Sequence, residues 1–151
     1  METMLRFLAI DRESQRDAAQ IWNLVEPRTA SIIENFYADV SRSKIGLALS
    51  AHTIDHLKTK QAEHWRKLFE SRFDREYFNN ASLIGIKHYE IGLDVRWYIA
   101  GYMKIKSCFS MEIFKAQSPL SSKAQLVATL DKYIALDMAL AVSSYTSLLV
   151  D

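Results

Sequence analysis

Cysteine is almost missing from this 151-residue chain: Cys108 is the only one, so neither an internal disulfide nor a thiolate metal cluster can be assembled within it, and a reducing cytoplasmic setting is expected. Glycine and proline are nearly as scarce, at four and two residues. Val, Ile and Thr do not gather into alternating runs, which leaves strands without support. Neither charge is in excess, with nineteen Lys and Arg against eighteen Asp and Glu. No stretch forms the basic stripe that a phosphate backbone demands, so nucleic acid is not an expected partner. Long apolar runs are lacking too. The richest, Tyr133 to Val142, carries Asp137 and is too short to span a membrane. Met1 to Ile10 carries Glu2 and Arg6 and has no small-residue cleavage site, so it does not read as a signal peptide. A glycine-rich phosphate loop, a Ser/His/Asp or Cys/His arrangement and recurring Glu-x-x-His pairs are all absent, which removes the basis for a hydrolytic site or a di-iron bundle.

What is present is enough apolar residue, 49% of the chain, to build one core in one all-α domain over residues 1–151, with residues 1–12 as a loose N-terminal extension. A first helix is expected from about Ser14 to Glu26, ended by Pro27, which then opens a second helix carrying Ile32, Ile33, Phe36, Tyr37 and Val40. After Ile45 to Leu49, a third helix starts near Thr53 and presents Ile54, Leu57, Gln61, Trp65 and Leu68 on one side. Asp74 caps a fourth, which ends at Gly92. A fifth runs from about Asp94 to Ala116, and Ser118-Pro119 separates it from a sixth. In the sixth, Leu136 and Leu140 lie off the stripe of Leu130, Ile134 and Ala141. Either this helix is central in the monomer, or its second face meets another copy of the chain as a homodimer.

Imidazole is the usual protein donor to iron, so the four histidines are the first candidates for chemistry. His88 lies between Ile84 and Ile91 on the apolar face of the fourth helix, with one ring nitrogen placed to donate to the carbonyl of Ile84. Spacing alone favours a buried core histidine over an iron ligand. His52 and His56 are four apart, but Thr53 as an N-cap would leave His52 outside the helix and spoil a zinc pair. His64, beside Trp65, reads as a partly exposed surface residue, with a second iron ligand as the alternative. Tyr37 follows Phe36 on an inward face, and Gln61 is the one polar member of its stripe; each offers a hydrogen-bond donor to a pocket.

The stretch IGIKHYEIGLDVRWYIAGY, residues 84–102, resembles the proximal segment of the globin-coupled sensor family: a histidine, then Ile-Gly-Leu, then Trp-Tyr. ENFYADV resembles that family's distal-tyrosine helix, TIDHLKTKQAEHWRKLF its distal E helix and FDREYF the entry to its F helix, in the family's order. The resemblance implies a globin fold with an extra N-terminal segment and no conventional D helix, binding haem b through the proximal ligand His88. It implies Tyr37 as the residue that hydrogen-bonds bound O2, Leu57 over the distal haem face, and Trp97 and Tyr98 as the aromatic pair after the proximal helix. Trp97 is expected in ordinary core packing, and Tyr98 near enough to follow motion of His88. Phe36 and Gln61 complete the expected pocket. Two departures stand out. Lys60 occupies a position where some members carry a threonine, and is expected to lean toward solvent or a haem propionate; Val95 replaces a proline common after the Ile-Gly-Leu turn. The function implied is an O2 sensor, with CO and NO as further ligands, signalling through a dimer of the last two helices to an output module in cis or in trans. The alternative is a single-domain globin that binds O2 or oxidises nitric oxide. The chain ends inside an expected helix at Asp151, as either a piece of a longer sensor or a free-standing form.

Overall fold

The computed structural model describes the backbone of residues 1–43, 49–117 and 120–150, and the side chains of 1–43, 49–117 and 122–145. Six helices make up the described residues, with no strand among them: α1 (Glu2–Phe7), α2 (Arg12–Arg42), α3 (Ala51–Glu70), α4 (Arg75–Glu90), α5 (Val95–Lys115) and α6 (Leu120–Val150). Residues 1–12, expected to be loose, hold α1, whose surroundings Leu5, Leu8 and Ile10 pack on the core. The expected missing D helix and the Ser118-Pro119 break fall on residues 44–48 and 118–119, outside the described ones.

The expected break at Pro27 does not occur, and α2 runs through it as one helix of 31 residues. A proline here leaves the carbonyl of Asn23 without its helical N–H. Both residues lie on the exposed side, where that carbonyl is open to solvent, and the buried stripe of Ile21, Trp22, Val25, Thr29, Ile32 and Ile33 continues across the junction. Thr53 does not cap α3 either. Ser50 does, accepting from the Thr53 N–H at 3.1 Å, which puts His52 inside the helix. The other starts follow expectation: Asp74 accepts from the Tyr77 N–H at 3.0 Å, and Gly92, at φ +79, takes the left-handed position after α4.

The two faces of α6 are both used within one chain. Leu136 and Leu140 are buried together with Leu130, Tyr133, Ile134 and Ala141, so they are core residues rather than dimer contacts. This helix packs on α4, α5 and α2 and is the axis of the domain. Its crossing with α4 is very close: a Cβ on Gly85 would run into the backbone carbonyl of Ala141. One turn away, Ser144 Oγ donates to the carbonyl of Ser82 at 2.9 Å. Gly85→Ala is expected to cost about 1 to 3 kcal/mol, the cost of forcing atoms into a packed interior. Chemical denaturation measures it, and unchanged stability would mean the two backbones have room to part.

Candidate functional site

His88 sits in the last turn of α4, half-buried, and its Nδ1–H donates to the carbonyl of Ile84 at 2.7 Å. That bond fixes ring orientation and tautomer, which leaves Nε2 as the nitrogen available to a metal. Burial lowers the proton affinity of the imidazole, outweighing the opposite pull of the Ile84 carbonyl, and the field of His64 adds to the lowering. A neutral imidazole is the form that binds iron. The turn behind it is closed by the Leu93 N–H donating to the His88 carbonyl at 3.1 Å. The Tyr98 ring, buried on α5, meets the His88 ring edge to face at 5.0 Å between centroids. Val95 begins α5 without a proline because Asp94 caps it, accepting from the Arg96 N–H at 2.8 Å.

Tyr37, Phe36, Leu57 and Gln61 are half-buried on α2 and α3. Two ion pairs, Glu26 with Arg66 at 3.2 Å and Glu34 with Lys58 at 2.9 Å, fix these helices antiparallel and bring the Phe36–Tyr37 stretch alongside Leu57. Phe36 and Tyr37 meet edge to face at 5.3 Å. Phe36 also lies against Gly101, three residues beyond Tyr98, where a Cβ would come within 3.3 Å of the ring. Residues 98–101 of α5 therefore touch both His88 and the Phe36 ring. Burial pushes the Tyr37 phenol up to about 12, so it remains a neutral donor. Gln61 Oε1 is buried with no hydrogen-bond partner among the described residues, which costs free energy unless something else occupies the site.

The helices carrying these two sets barely touch each other: α3 and α4 each pack on α6. They leave from the short link Ser71–Asp74, so the arrangement is a V with its apex at the link and its mouth between Leu57 and His88. Ile84 is half-buried and Ile91 remains 48% exposed beside His88. A metal-ready nitrogen on α4, and the half-buried apolar side chains of Leu57 on α3 and Phe36 on α2, are the elements that a flat apolar macrocycle with an iron centre requires.

The remaining sequence candidates are placed elsewhere. Lys60 is exposed and pairs with Glu63 at 3.6 Å. His52 and His56 share a helix but are both exposed, and no group of three metal-type ligands occurs among the described residues. Trp97 is 49% exposed and is not a core residue. His64 is not the surface residue expected; it turns inward, and its Nε2–H donates to Asp137 at 2.8 Å.

With the geometry established, likeness to known proteins is informative. The family described as Protoglobin matches residues 1–149. No curated protein matches in sequence. Among solved structures, the globin domain of the Geobacter sulfurreducens globin-coupled sensor superposes with a TM-score of 0.81 at 17% identity, covering 96% of this chain and 97% of that one. The ferric globin domain of E. coli DosC gives 0.80 at 15% identity, covering 94% and 97%. Its ferrous form gives 0.78 at 16%, covering 93% and 95%. At these identities the likeness establishes the fold.

One cluster escaped the sequence reading. Asp137, 3% exposed, accepts from Tyr77 Oη at 2.5 Å, Tyr102 Oη at 2.5 Å and His64. Burial alone works against its charge, but the His64 imidazole and the three hydrogen bonds prevail and hold the carboxyl below its usual range. Because the folded value is the lower one, this group contributes stability that is in place above about pH 4 and is lost as the pH falls through the folded value. Asp137→Asn should cost about 2 to 4 kcal/mol at pH 7, with the difference from wild type narrowing below about pH 4. Denaturation curves collected across that range test it, and a difference independent of pH would contradict a charged Asp137.

Proposed function

Because the chain belongs to the protoglobin family, we propose that it holds haem b between α3 and α4 through His88 and binds O2 there as the input of a gas sensor. The observation that carries this reading is the half-buried His88, whose Nδ1–H is tied to the Ile84 carbonyl so that Nε2 is left for a metal, with the Tyr98 ring against it. The haem supplies a ferrous iron that takes a diatomic ligand, with CO and NO as alternatives to O2. The protein's part is positional. His88 presents a neutral nitrogen in one fixed orientation. Leu57, Phe36 and Ile84 supply half-buried apolar walls. Tyr37 remains protonated at any ordinary pH and would offer its O–H to a ligand held in the site. Gln61 offers its amide as a second donor.

Signalling is assigned to a homodimer, with an output module in cis or in trans. With Leu136 and Leu140 occupied inside the monomer, the support moves to the outer face of α5. Ile99, Met103, Met111 and Phe114 are exposed there, Phe114 by 51%, and helical spacing groups them on one side. Tyr98, on the same helix and in ring contact with His88, puts that face within one helix of the iron ligand. A sensor of this kind requires its ligand to bind the two states of the dimer with different free energies.

Protein reconstituted with haem should show an intense Soret band that His88→Ala abolishes; a colourless, folded wild type would refute the haem assignment. Tyr37→Phe should speed O2 release about 10- to 100-fold, corresponding to a lost hydrogen bond of about 1.5 to 3 kcal/mol. Stopped-flow dissociation measures this, and an unchanged rate transfers the donor role to Gln61. Met103→Glu should convert a dimer to a monomer in sedimentation experiments without loss of the Soret band, whereas an unaffected dimer would place the interface elsewhere.

A further inference from the structure

Asp137 has no part in the gas chemistry just assigned, yet it is the most deeply buried charged group described, and its partners surround the proposed site. His64 belongs to α3, the distal wall; Tyr77 belongs to α4, the proximal wall; Tyr102 belongs to α5, one turn from the Tyr98 that touches His88. Among the described residues, the side-chain hydrogen bonds that join α3 to α4 run through this carboxylate. They do so at the apex of the V. The link there is itself constrained: Phe73 is held at φ +56, where a bulky side chain is strained, by burial against Tyr77 and Tyr133 and by its N–H donating to Ser71 Oγ at 2.7 Å.

We propose that Asp137 is a positioning residue of the gas site, whose carboxylate closes the apex between the distal and proximal walls and sets the charge felt at His88. The proposal rests on the haem reading above. Two routes lead from the carboxylate to the ligand imidazole. One is the run of rings Tyr102, Tyr98, His88, with centroid separations of 6.0 and 5.0 Å. The other is His64, whose field acts at His88. A charge inside a protein is screened less than one in water. Its influence on the iron should be to favour the ferric state. The groups facing it are His64 from α3, Tyr77 from α4 and Tyr98 and Tyr102 from α5. His64 also lines a surface cleft with Lys67, Glu70, Asp74 and Glu76, which connects the cluster to solvent.

Two full-length variants separate charge from packing. Asp137→Asn removes the charge and keeps the size; Tyr102→Phe removes one donor and leaves the charge less compensated. In the haem-loaded protein, at the applied potential that half-reduces wild type, Asp137→Asn should raise the ferrous-to-ferric ratio about tenfold, a shift of 59 mV for one electron. Tyr102→Phe should lower that ratio. Shifts of the same sign in both variants, or none, would reduce the cluster to packing and overturn the proposal. If Asp137→Asn does not fold, Tyr77→Phe takes its place beside Tyr102→Phe; for this pair both should lower the ratio, and an unchanged or raised ratio in either would overturn the proposal. The haem-free protein gives a separate reading: ring resonances of His88 and Tyr98 in NMR spectra should move when Asp137 or Tyr102 is changed. Changes confined to residues 64, 77, 102 and 137 would overturn the proposal whether or not haem binds. A wild type with no Soret band would refute the haem reading alone and leave the NMR result to judge the cluster.

Discussion

A charged carboxylate buried in the middle of a helical domain is tolerated only if several donors are brought to it. Asp137 imposes that condition on this fold. Its three donors come from three different helices, so α3, α4 and α5 must converge where α6 carries it. A residue at the apex of two helices fixes the angle at which they part. The gap between Leu57 and His88 follows from that convergence as much as from the side chains that line it.

The two walls of the gap are built on different principles. On α4 everything restrains one imidazole: a carbonyl one turn back, a tyrosine ring on its flank, and a helix end closed by Gly92 and Leu93. On the distal side the polar groups are left underused. Gln61 Oε1 has no partner, and the Tyr37 phenol is kept neutral by burial. Restraint suits a side chain that must keep its geometry, whereas an unpartnered amide oxygen needs a donor that the described residues do not supply.

The helical class, the caps at Asp74 and Gly92, and the bond from His88 to Ile84 are legible in the sequence because each is local, depending on residues three or four apart. What the sequence conceals is long-range. Asp137 reads as an interruption in an apolar run, although a lone charge in such a run implies buried partners; Tyr77 and Tyr102, 60 and 35 residues distant, supply them. His64 reads as a surface residue for the same reason. Pro27 misleads in the opposite way: the local rule that proline ends a helix yields here to a buried stripe that continues on both sides. Leu136 and Leu140 leave two readings open because a helix at the centre of a domain and a helix shared between two domains have the same apolar pattern; their burial within one chain selects the first.

The position of α6 bears on how a change at His88 could travel. The Gly85 backbone rests on Ala141, and Ser82 is bonded to Ser144, so α4 has no freedom to move toward α6. The Tyr77 bond to Asp137 restrains its other end. What remains is movement away from α6 or rotation about the crossing at Gly85, and the ring in contact with His88 is that of Tyr98 on α5. Since packed interiors shift between discrete arrangements rather than deforming smoothly, a small displacement of the imidazole has to be absorbed by α5. The exposed apolar face of α5 is thus the surface to which the geometry of the proximal helix most directly leads.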